Sequence, residues 1–208
     1  TEAISNVENS QPKKIFLGHC KMIIIGTSVK DLNKDIDFFI TNNSISPSTK
    51  IVYTNGDAKE IIDLLNNSNA SDKVLKMLQN AAQSGKIISN DIVNYFGIQN
   101  SQGETSVLPL AAKSDDGVNF SGCSVIKNGE KQCDLSELET RSLGLMKGKV
   151  KSFTDTVNCF DTECAIAVDR SSVKTTSRLD NGQLIIKKQI SIAGRLTEES
   201  PKSNITDM

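Results

Sequence analysis

The spacing of apolar residues changes along the chain, and this change decides the class of fold. Between residues 28 and 96, apolar residues recur every three or four positions in several segments, as they do in amphipathic helices. Short β-prone runs alternate with the first of these segments. From residue 107 onward the spacing is mostly two, which is typical of strands, apart from one helical segment. The pattern predicts an α+β fold in which helices flank a mixed β-sheet.

Turn and cap residues place the individual elements. Strands are predicted at 14–25, 51–53, 107–110 and 118–127, and helices at 28–40, 57–65, 71–84 and 89–96. Ser28 and Asp57 are candidate N-caps, and Gly97 is a candidate C-cap. Pro109 favours an edge position or a strand end, because proline cannot donate a hydrogen bond. Residues 1–12 are predicted to be the end of a helix followed by a polar connector.

A capping box at Ser136 and Glu139 begins one more helix, which is predicted to end near Lys147 and Gly148. Beyond it, residues 164–173 and 184–196 predict a hairpin. An isolated hairpin is marginal in water, so it should either extend the preceding sheet or begin a domain whose remainder is missing. The second interpretation, a truncated second domain, is favoured. The predicted organisation is the end of an N-terminal α+β domain and its linker at 1–148, a β-rich start of a C-terminal domain at 149–197, and a disordered tail at 198–208.

Composition limits the possible partners. The 24 Lys and Arg residues nearly balance the 25 Asp and Glu residues, so the net charge gives no support for nucleic-acid binding. Aromatic residues make up only 4% of the chain, which leaves few side chains on which a base could stack. The longest apolar run, Met22–Ile25, is too short to span a bilayer. The chain as given is therefore expected to be water-soluble.

The sequence carries no recognisable catalytic or metal-binding motif. The single histidine, His19, is predicted in a strand beside Cys20, without further ligands at zinc spacing. Four residues separate Cys159 from Cys164, a spacing that fits either a disulfide or two separate thiols. One possible enzymatic function is that of a thiol hydrolase that uses Cys20 or Cys133, although no sequence feature marks an activated thiolate. No catalytic residue, metal ligand or cofactor is predicted, and no ligand-binding residue is identified.

Several segments occur in an order that resembles a known family. Residues 16–19 and 22–26 lead into a helix that ends at 37–40, and residues 122–127 are followed by the helix at 139–145. This order is similar to that of the Ger(x)C family of spore germination lipoproteins. The resemblance covers residues 12 to about 148, and a weaker likeness continues to residue 192. The family-signature positions, interpreted as structural, are Gly18, His19, Gly26, Phe39, Gly122, Lys127, Glu139, Arg141 and Gly144.

The chain also departs from the family pattern. Cys123 and Ile126 stand where a small residue and Phe are usual, Ser142 replaces a common Gly, and residues 128–133 form an unusual loop. The family's lipid-bearing cysteine and most of its C-terminal domain are expected to lie outside this chain. The chain is therefore interpreted as an internal fragment of a family member.

The resemblance implies a non-enzymatic subunit of a spore germinant receptor, the C subunit. Such a subunit would act in protein–protein assembly and signalling during nutrient-induced germination. Its partners would be membrane-embedded receptor subunits, and a lipid anchor would hold it on the outer face of the spore inner membrane. Loops near Gly18 or Gly129 are candidate partner surfaces. The alternative is a domain that binds a small molecule or a peptide, such as a germinant.

Overall fold

The computed structural model describes residues 9, 17–41, 45–66, 71–101, 105–115, 117–159 and 162–201. For residues 66, 71, 159, 162 and 198–201 it describes the backbone alone. Within these ranges the chain forms a six-stranded sheet and a separate three-stranded sheet. The predicted α+β class, with a mixed sheet flanked by helices, is confirmed.

The first sheet combines parallel and antiparallel strands. Its members are β1 (Met22–Ile25), β2 (Lys50–Thr54), β3 (Asn90–Asp91), β4 (Thr105–Ser114), β5 (Gly117–Lys127) and β6 (Glu130–Leu135). The order is β1-β2-β4-β5-β6, and the short β3 pairs with the beginning of β2. Strands β1, β2 and β4 run parallel, whereas β4, β5 and β6 form an antiparallel meander. Parallel pairs need crossover connections, and helices supply them.

Helices cover both faces of this sheet. They are α1 (Leu32–Thr41), α2 (Ala58–Asn66), α3 (Ser71–Gln83), α4 (Ile92–Gln99) and α5 (Glu137–Met146). Side chains of α1 and α4 share one buried cluster, and those of α2 and α3 share another on the opposite face. None of these helices is long and apolar enough to cross a membrane. The first module is therefore a three-layer arrangement of helix, sheet and helix.

Strand β2 shows why both faces need a helical cover. Ile51 and Tyr53 point into the α1–α4 cluster, whereas Val52 points into the α2–α3 cluster. All three residues are at most 3% exposed. Because successive side chains on a strand point to opposite faces, a run of consecutive apolar residues must be buried on both sides. Full burial of each such side chain contributes about 1.5–3 kcal/mol.

The beginning of the chain differs from the prediction. Strand β1 is limited to four residues, and a short 3₁₀ turn at Leu17–His19 precedes it, so His19 does not lie in a strand. Helix α1 begins at Leu32, because the carboxylate of Asp31, and not Ser28, accepts hydrogen bonds from the first free amides of the helix. The helix end predicted at 1–12 lies outside the described residues, apart from Asn9.

Two further predictions about breaker residues are wrong. Gly97 lies inside α4, which begins at its N-cap Asp91 and ends at its C-cap Asn100. Pro109 lies in a central strand, not at an edge. The register of β4 against β5 shifts between Pro109 and Ala111, so the proline lies beside an irregularity of the ladder, a place where a residue without an N–H is tolerated.

The second sheet is an antiparallel meander of β7 (Phe153–Cys159), β8 (Thr162–Asp180) and β9 (Gln183–Pro201). Asn181 and Gly182 connect β8 to β9 with positive φ angles of 49° and 80°, as the predicted hairpin turn requires. The part of the hairpin beyond Val168 extends past β7, so it is a two-stranded ribbon. Strand β9 includes residues 198–201, which were predicted to be disordered, and residues 202–208 lie outside the described part.

Gly122 is a position where the fold requires glycine. Its φ is +78°, and an added Cβ would lie 2.4 Å from the carbonyl oxygen of Leu135 on β6. We expect Gly122→Ala to lower the free energy of unfolding by at least about 2 kcal/mol, because it combines a left-handed backbone with an overlap against another backbone. Urea unfolding followed by circular dichroism measures the loss.

Gly97→Ala is the matched control for this substitution. A Cβ at this exposed helical position meets nothing within 4 Å. The change should raise stability by about 0.5–1 kcal/mol, because alanine loses less conformational entropy than glycine in a helix. Equal stabilities of the two variants would contradict the assignment of strain to Gly122.

Candidate interaction surface

Helix α5 begins with a complete capping box. The hydroxyl of Ser136 accepts a hydrogen bond from the amide of Glu139 at 3.3 Å. The carboxylate of Glu139 in turn accepts one from the amide of Ser136 at 2.8 Å. The Ser136 hydroxyl also donates to this carboxylate at 2.8 Å. The bond from the Ser136 amide and, after it, the bond from the hydroxyl hold the pKa of Glu139 below its ordinary value. The helix start is therefore fixed by residues close together in the sequence.

Arg141 of α5 joins the first module to the second sheet. Its guanidinium donates to Glu137 at 2.8 Å and to Asp155 on β7 at 2.9 Å. It also lies over the ring of Phe153, 5.2 Å from the ring centre. The Arg141 side chain is only 10% exposed. A planar guanidinium suits this position, because it can bind two carboxylates and stack on an aromatic ring at once.

Val150, in the linker after α5, fixes the connection from the inside. It is 1% exposed, and its methyl groups lie against Gly144 and Gly85. A Cβ on Gly144 would lie 2.5 Å from Cγ2 of Val150. The amide of Lys149 donates to the carbonyl of Gly144 at 2.8 Å, which turns the chain back onto the helix. Gly144 is therefore a packing position that leaves room for Val150.

Two more hydrogen bonds connect the long hairpin to the region around α5. Ser171 on β8 donates to the carbonyl of Val150 at 2.5 Å. Lys188 on β9 donates to the carbonyl of Met146 at 2.9 Å, where the helix ends. A cation at this end of a helix is favourable, because the last carbonyls carry partial negative charge. The hairpin is thus attached near its middle, and its tip extends beyond these contacts.

The side of the hairpin that carries Lys188 is otherwise mostly apolar. We call it the apolar face, and it consists of Val173, Leu179, Leu184, Ile186, Ile190 and Ile192. Leu179, Leu184 and Ile186 are 76%, 65% and 57% exposed. On the outer side of α5, Leu138 and Met146 are also exposed, at 65% and 41%. Exposed apolar side chains are therefore concentrated in this half of the chain, a pattern typical of protein contact surfaces.

A groove of about 410 Å³ lies between α3 and the second sheet. Three of its polar side chains already have partners within the protein. Asp169 accepts two hydrogen bonds from Arg195 at 2.8 Å, and the hydroxyl of Ser84 donates to a carbonyl of its own helix. A ligand site normally presents polar groups that converge on the ligand. The groove does not favour any class of ligand, and the small-molecule alternative stays a prediction.

The signature positions do not form one site. Glu139, Arg141 and Gly144 lie together on α5, and Gly122 lies nearby on β5. The others are spread over the first module. Gly18 and His19 lie in the 3₁₀ turn, Gly26 is buried against Gly56 and Ala58, Phe39 packs in the α1–α4 cluster, and Lys127 ends β5. The structural interpretation of these positions stays a prediction.

The turn at Gly129, one of the predicted partner surfaces, contacts the beginning of α1. Its carbonyl accepts a hydrogen bond from the amide of Leu32 at 2.9 Å. A Cβ on Gly129 would lie 2.6 Å from the Asp31 carboxylate. Gly129 itself is buried there, whereas Lys127, Asn128 and Glu130 beside it are exposed, so a partner surface at this turn stays a prediction. The contacts of Gly129 with the beginning of α1 hold the β5–β6 connection in place within the module.

The described cysteines lie in different surroundings. Burial raises the pKa of Cys123 to about 11, although the Ile88 amide and the Thr140 hydroxyl beside the thiol oppose this shift. Cys20 donates to the carbonyl of Met22, and Cys133 is exposed on β6. The side chain of Cys159 lies outside the described residues, so its pairing stays open. Across the described residues, no group of three or more His, Cys, Asp or Glu side chains could hold a metal ion.

One polar network was not found from the sequence. Asp134 on β6 accepts hydrogen bonds from Ser124, Lys131 and Asn55 at 2.6, 2.8 and 2.8 Å. Burial raises the pKa of Asp134, but these three donors outweigh it and hold the pKa below its ordinary value. Asn55 is 79 residues away in the sequence, so no local pattern could indicate the contact.

Replacement of Arg141 tests whether it holds the second sheet in place. We expect Arg141→Ala to lower stability by about 2–3 kcal/mol and to increase hydrogen exchange in β7, because two ion pairs and a ring contact are lost. Arg141→Lys should fall between this variant and the unmodified chain, since one ammonium cannot replace the planar fork.

Arg195→Ala is the control for Arg141→Ala. It removes an ion pair in which the Arg195 and Asp169 side chains are 68% and 51% exposed, so it should cost no more than about 0.5–1 kcal/mol. Unfolding midpoints and exchange of β7 amides are measured for both. Equal effects of the two alanine variants would contradict the role of Arg141.

Comparisons with known proteins give a consistent result. Residues 1–113 match the family model described as "Spore germination protein N-terminal domain", and residues 121–208 match "Spore germination B3/GerAC like, C-terminal". The boundary between the matches falls between β4 and β5, within the first sheet. Spore germination protein A3 of Bacillus subtilis (strain 168) is 21% identical over 192 residues, which cover 90% of this chain and 52% of that protein.

A solved structure shows the same fold. The crystal structure of the GerBC protein superposes with a TM-score of 0.69 at 16% identity, over 98% of this chain and 60% of that one. The chain spans about half the length of the curated relative that it matches. The resemblance inferred from the sequence is thus confirmed: the chain belongs to the spore germination protein family of the GerAC type.

Proposed function

We propose that this chain is part of the C subunit of a spore germinant receptor and acts there without catalysis, by protein–protein assembly and signalling. Membership of the spore germination family supports the biological setting. Under this proposal, the subunit binds membrane-embedded receptor subunits, and a lipid anchor holds it on the outer face of the spore inner membrane. The observation that carries the assembly role is the exposure of the apolar side chains of Leu138 and Met146 on α5.

We also propose that residues up to 148 form an N-terminal domain with its linker, and that residues 149–197 begin a C-terminal domain. A two-stranded ribbon with an open apolar face is not stable by itself in water. A helix or further strands of the same domain would cover the apolar face and complete a two-layer structure. The relatives are long enough to supply such elements, because this chain matches 60% of the GerBC chain.

Adjacent residues on opposite sides of β9 test this domain proposal. Ile186 lies on the apolar face, and Lys187 points the other way. In the full-length protein from which the other cysteines have been removed, we expect Ile186→Cys to react with a maleimide at least tenfold more slowly than Lys187→Cys. Mass spectrometry of timed samples gives both rates. Equal rates would show that nothing covers the apolar face.

The outer side of α5 is the proposed contact surface for a partner subunit. Leu138, the second residue of α5, is 65% exposed, and Met146, its last residue, is 41% exposed. The fully buried centre of a protein interface is more apolar than the rest of the surface, and methionine is among the residues enriched there. Because Val150 and Arg141 fix α5 to both sheets, a contact here would act on both modules together.

Photo-crosslinking in intact spores tests the assembly role. A photoreactive amino acid at Leu138 should give an adduct with a membrane-embedded receptor subunit. The same amino acid at Ile62, which is 43% exposed on α2, is the control and should give much less adduct. Adducts are separated by gel electrophoresis and identified by mass spectrometry. Labelling of lipid alone, or equal labelling at both positions, would contradict assembly through α5.

A further inference from the structure

The face of the hairpin opposite the apolar face is rich in cations. In the register of β8 against β9, Thr176 is paired with Lys187, and Arg178 is paired with Ile185. Arg170, Lys174 and Arg178 therefore point to the same side as Lys187, because they are an even number of positions apart on the strand. All four cations are exposed. We call this side of the ribbon the basic face.

Few acids accompany these cations. Between residues 170 and 192 the sequence contains five Lys and Arg residues and a single carboxylate, Asp180 at the turn. Asp180 lies 3.5 Å from Arg178, and both side chains are well exposed, at 48% and 73%. An exposed pair of this kind is weak. The whole chain has a net charge of −1, so the ribbon differs sharply from the average of the chain.

The cations form a line along the ribbon. Residues four apart on a strand are separated by about 13 Å, so the line from Arg170 to Arg178 is about 26 Å long. Lys187 lies between Lys174 and Arg178 on the neighbouring strand. Beside it is a depression of about 350 Å³, lined in part by Thr176, Arg178, Ile185 and Lys187. The basic face therefore offers a wide positive surface with one apolar side chain among the cations.

We propose that the basic face of the hairpin binds an anionic lipid surface through the phosphates of the lipid headgroups. The proposal rests on the proposed function, which places the protein at a membrane. Lys and Arg side chains can lay their apolar stems along the ribbon and extend their charges to phosphates. With the apolar face turned toward its own domain, the basic face is the side left to meet the bilayer.

An anionic bilayer fits the basic face better than an acidic protein does. A specific protein interface has a buried apolar centre with aromatic or arginine anchors and a polar rim. The basic face has cations along its whole length, and Ile185 is its one large apolar side chain. Such an arrangement suits a diffuse layer of negative charge, to which each cation contributes independently.

Vesicle binding by the full-length protein, prepared without its lipid anchor, tests the proposal. Vesicles of equal parts phosphatidylglycerol and phosphatidylcholine are compared with pure phosphatidylcholine, at low salt, by flotation. Each cation near an anionic surface increases partitioning about fivefold, so Lys174→Gln with Lys187→Gln should weaken binding about 25-fold. Neither residue contacts the junction at α5. Salt should abolish binding to the anionic vesicles, because exposed charges are screened.

Lys73→Gln with Lys76→Gln is the control pair on α3, since it changes the net charge equally at two exposed positions. This pair should bind vesicles as the unmodified chain does. Equal losses in both pairs would overturn the proposal, as would salt-insensitive binding to neutral vesicles, which would assign the contact to the apolar face. Preference for polyglutamate over anionic vesicles would indicate an acidic protein partner. No receptor subunit is present, so the Leu138 crosslink remains an independent test of assembly.

Discussion

The relation between the two sheets depends on the buried guanidinium of Arg141. Burial of a cation is costly unless its charge is balanced, so Arg141 requires both Glu137 and Asp155 at its side. Glu137 belongs to α5 and Asp155 belongs to β7, and satisfying the cation therefore sets the position of the second sheet. Val150 adds an apolar contact that is possible because residues 85 and 144 are glycine. Charge and packing at the junction thus select one arrangement.

The elements that could be predicted are those whose signals are local. The capping box at Ser136 and Glu139 lies within four residues, and the turn at Asn181 and Gly182 is specified by two. The period of apolar residues placed α2, α3, β2 and β5 because these elements bury a face against the core. The predicted N-cap Ser28 is wrong, because the carboxylate of Asp31 lies closer to the first free amides of α1. A further acceptor for these amides, the carbonyl of Gly129, comes from a turn that is distant in the sequence.

The features that were missed depend on contacts far apart in the sequence. Strand β6 is an exposed edge, so it needs no apolar period, and it is held by β5 and by the network around Asp134. Pro109 suggested an edge, but a bulge accommodates it in the centre of the sheet. At the junction, the sequence indicated α5 and named Arg141, yet neither Asp155 nor Val150 could be assigned, because their importance appears only after the second sheet is folded against the helix.

The hairpin illustrates how one strand pair can meet two different environments. Alternation of side chains sends Leu184, Ile186 and Ile190 to one side and Lys187 to the other. Apolar area left in water costs about 25 cal/mol per Å², which drives the first side toward protein. The same transfer would be unfavourable for the second side, because burying unpaired cations costs far more. The two faces therefore cannot exchange roles.

A shift of one residue in the register would reverse both faces of the hairpin, and the tight turn at Asn181 and Gly182 prevents that shift. The separation of apolar and cationic side chains onto opposite sides of the ribbon therefore depends on this single turn.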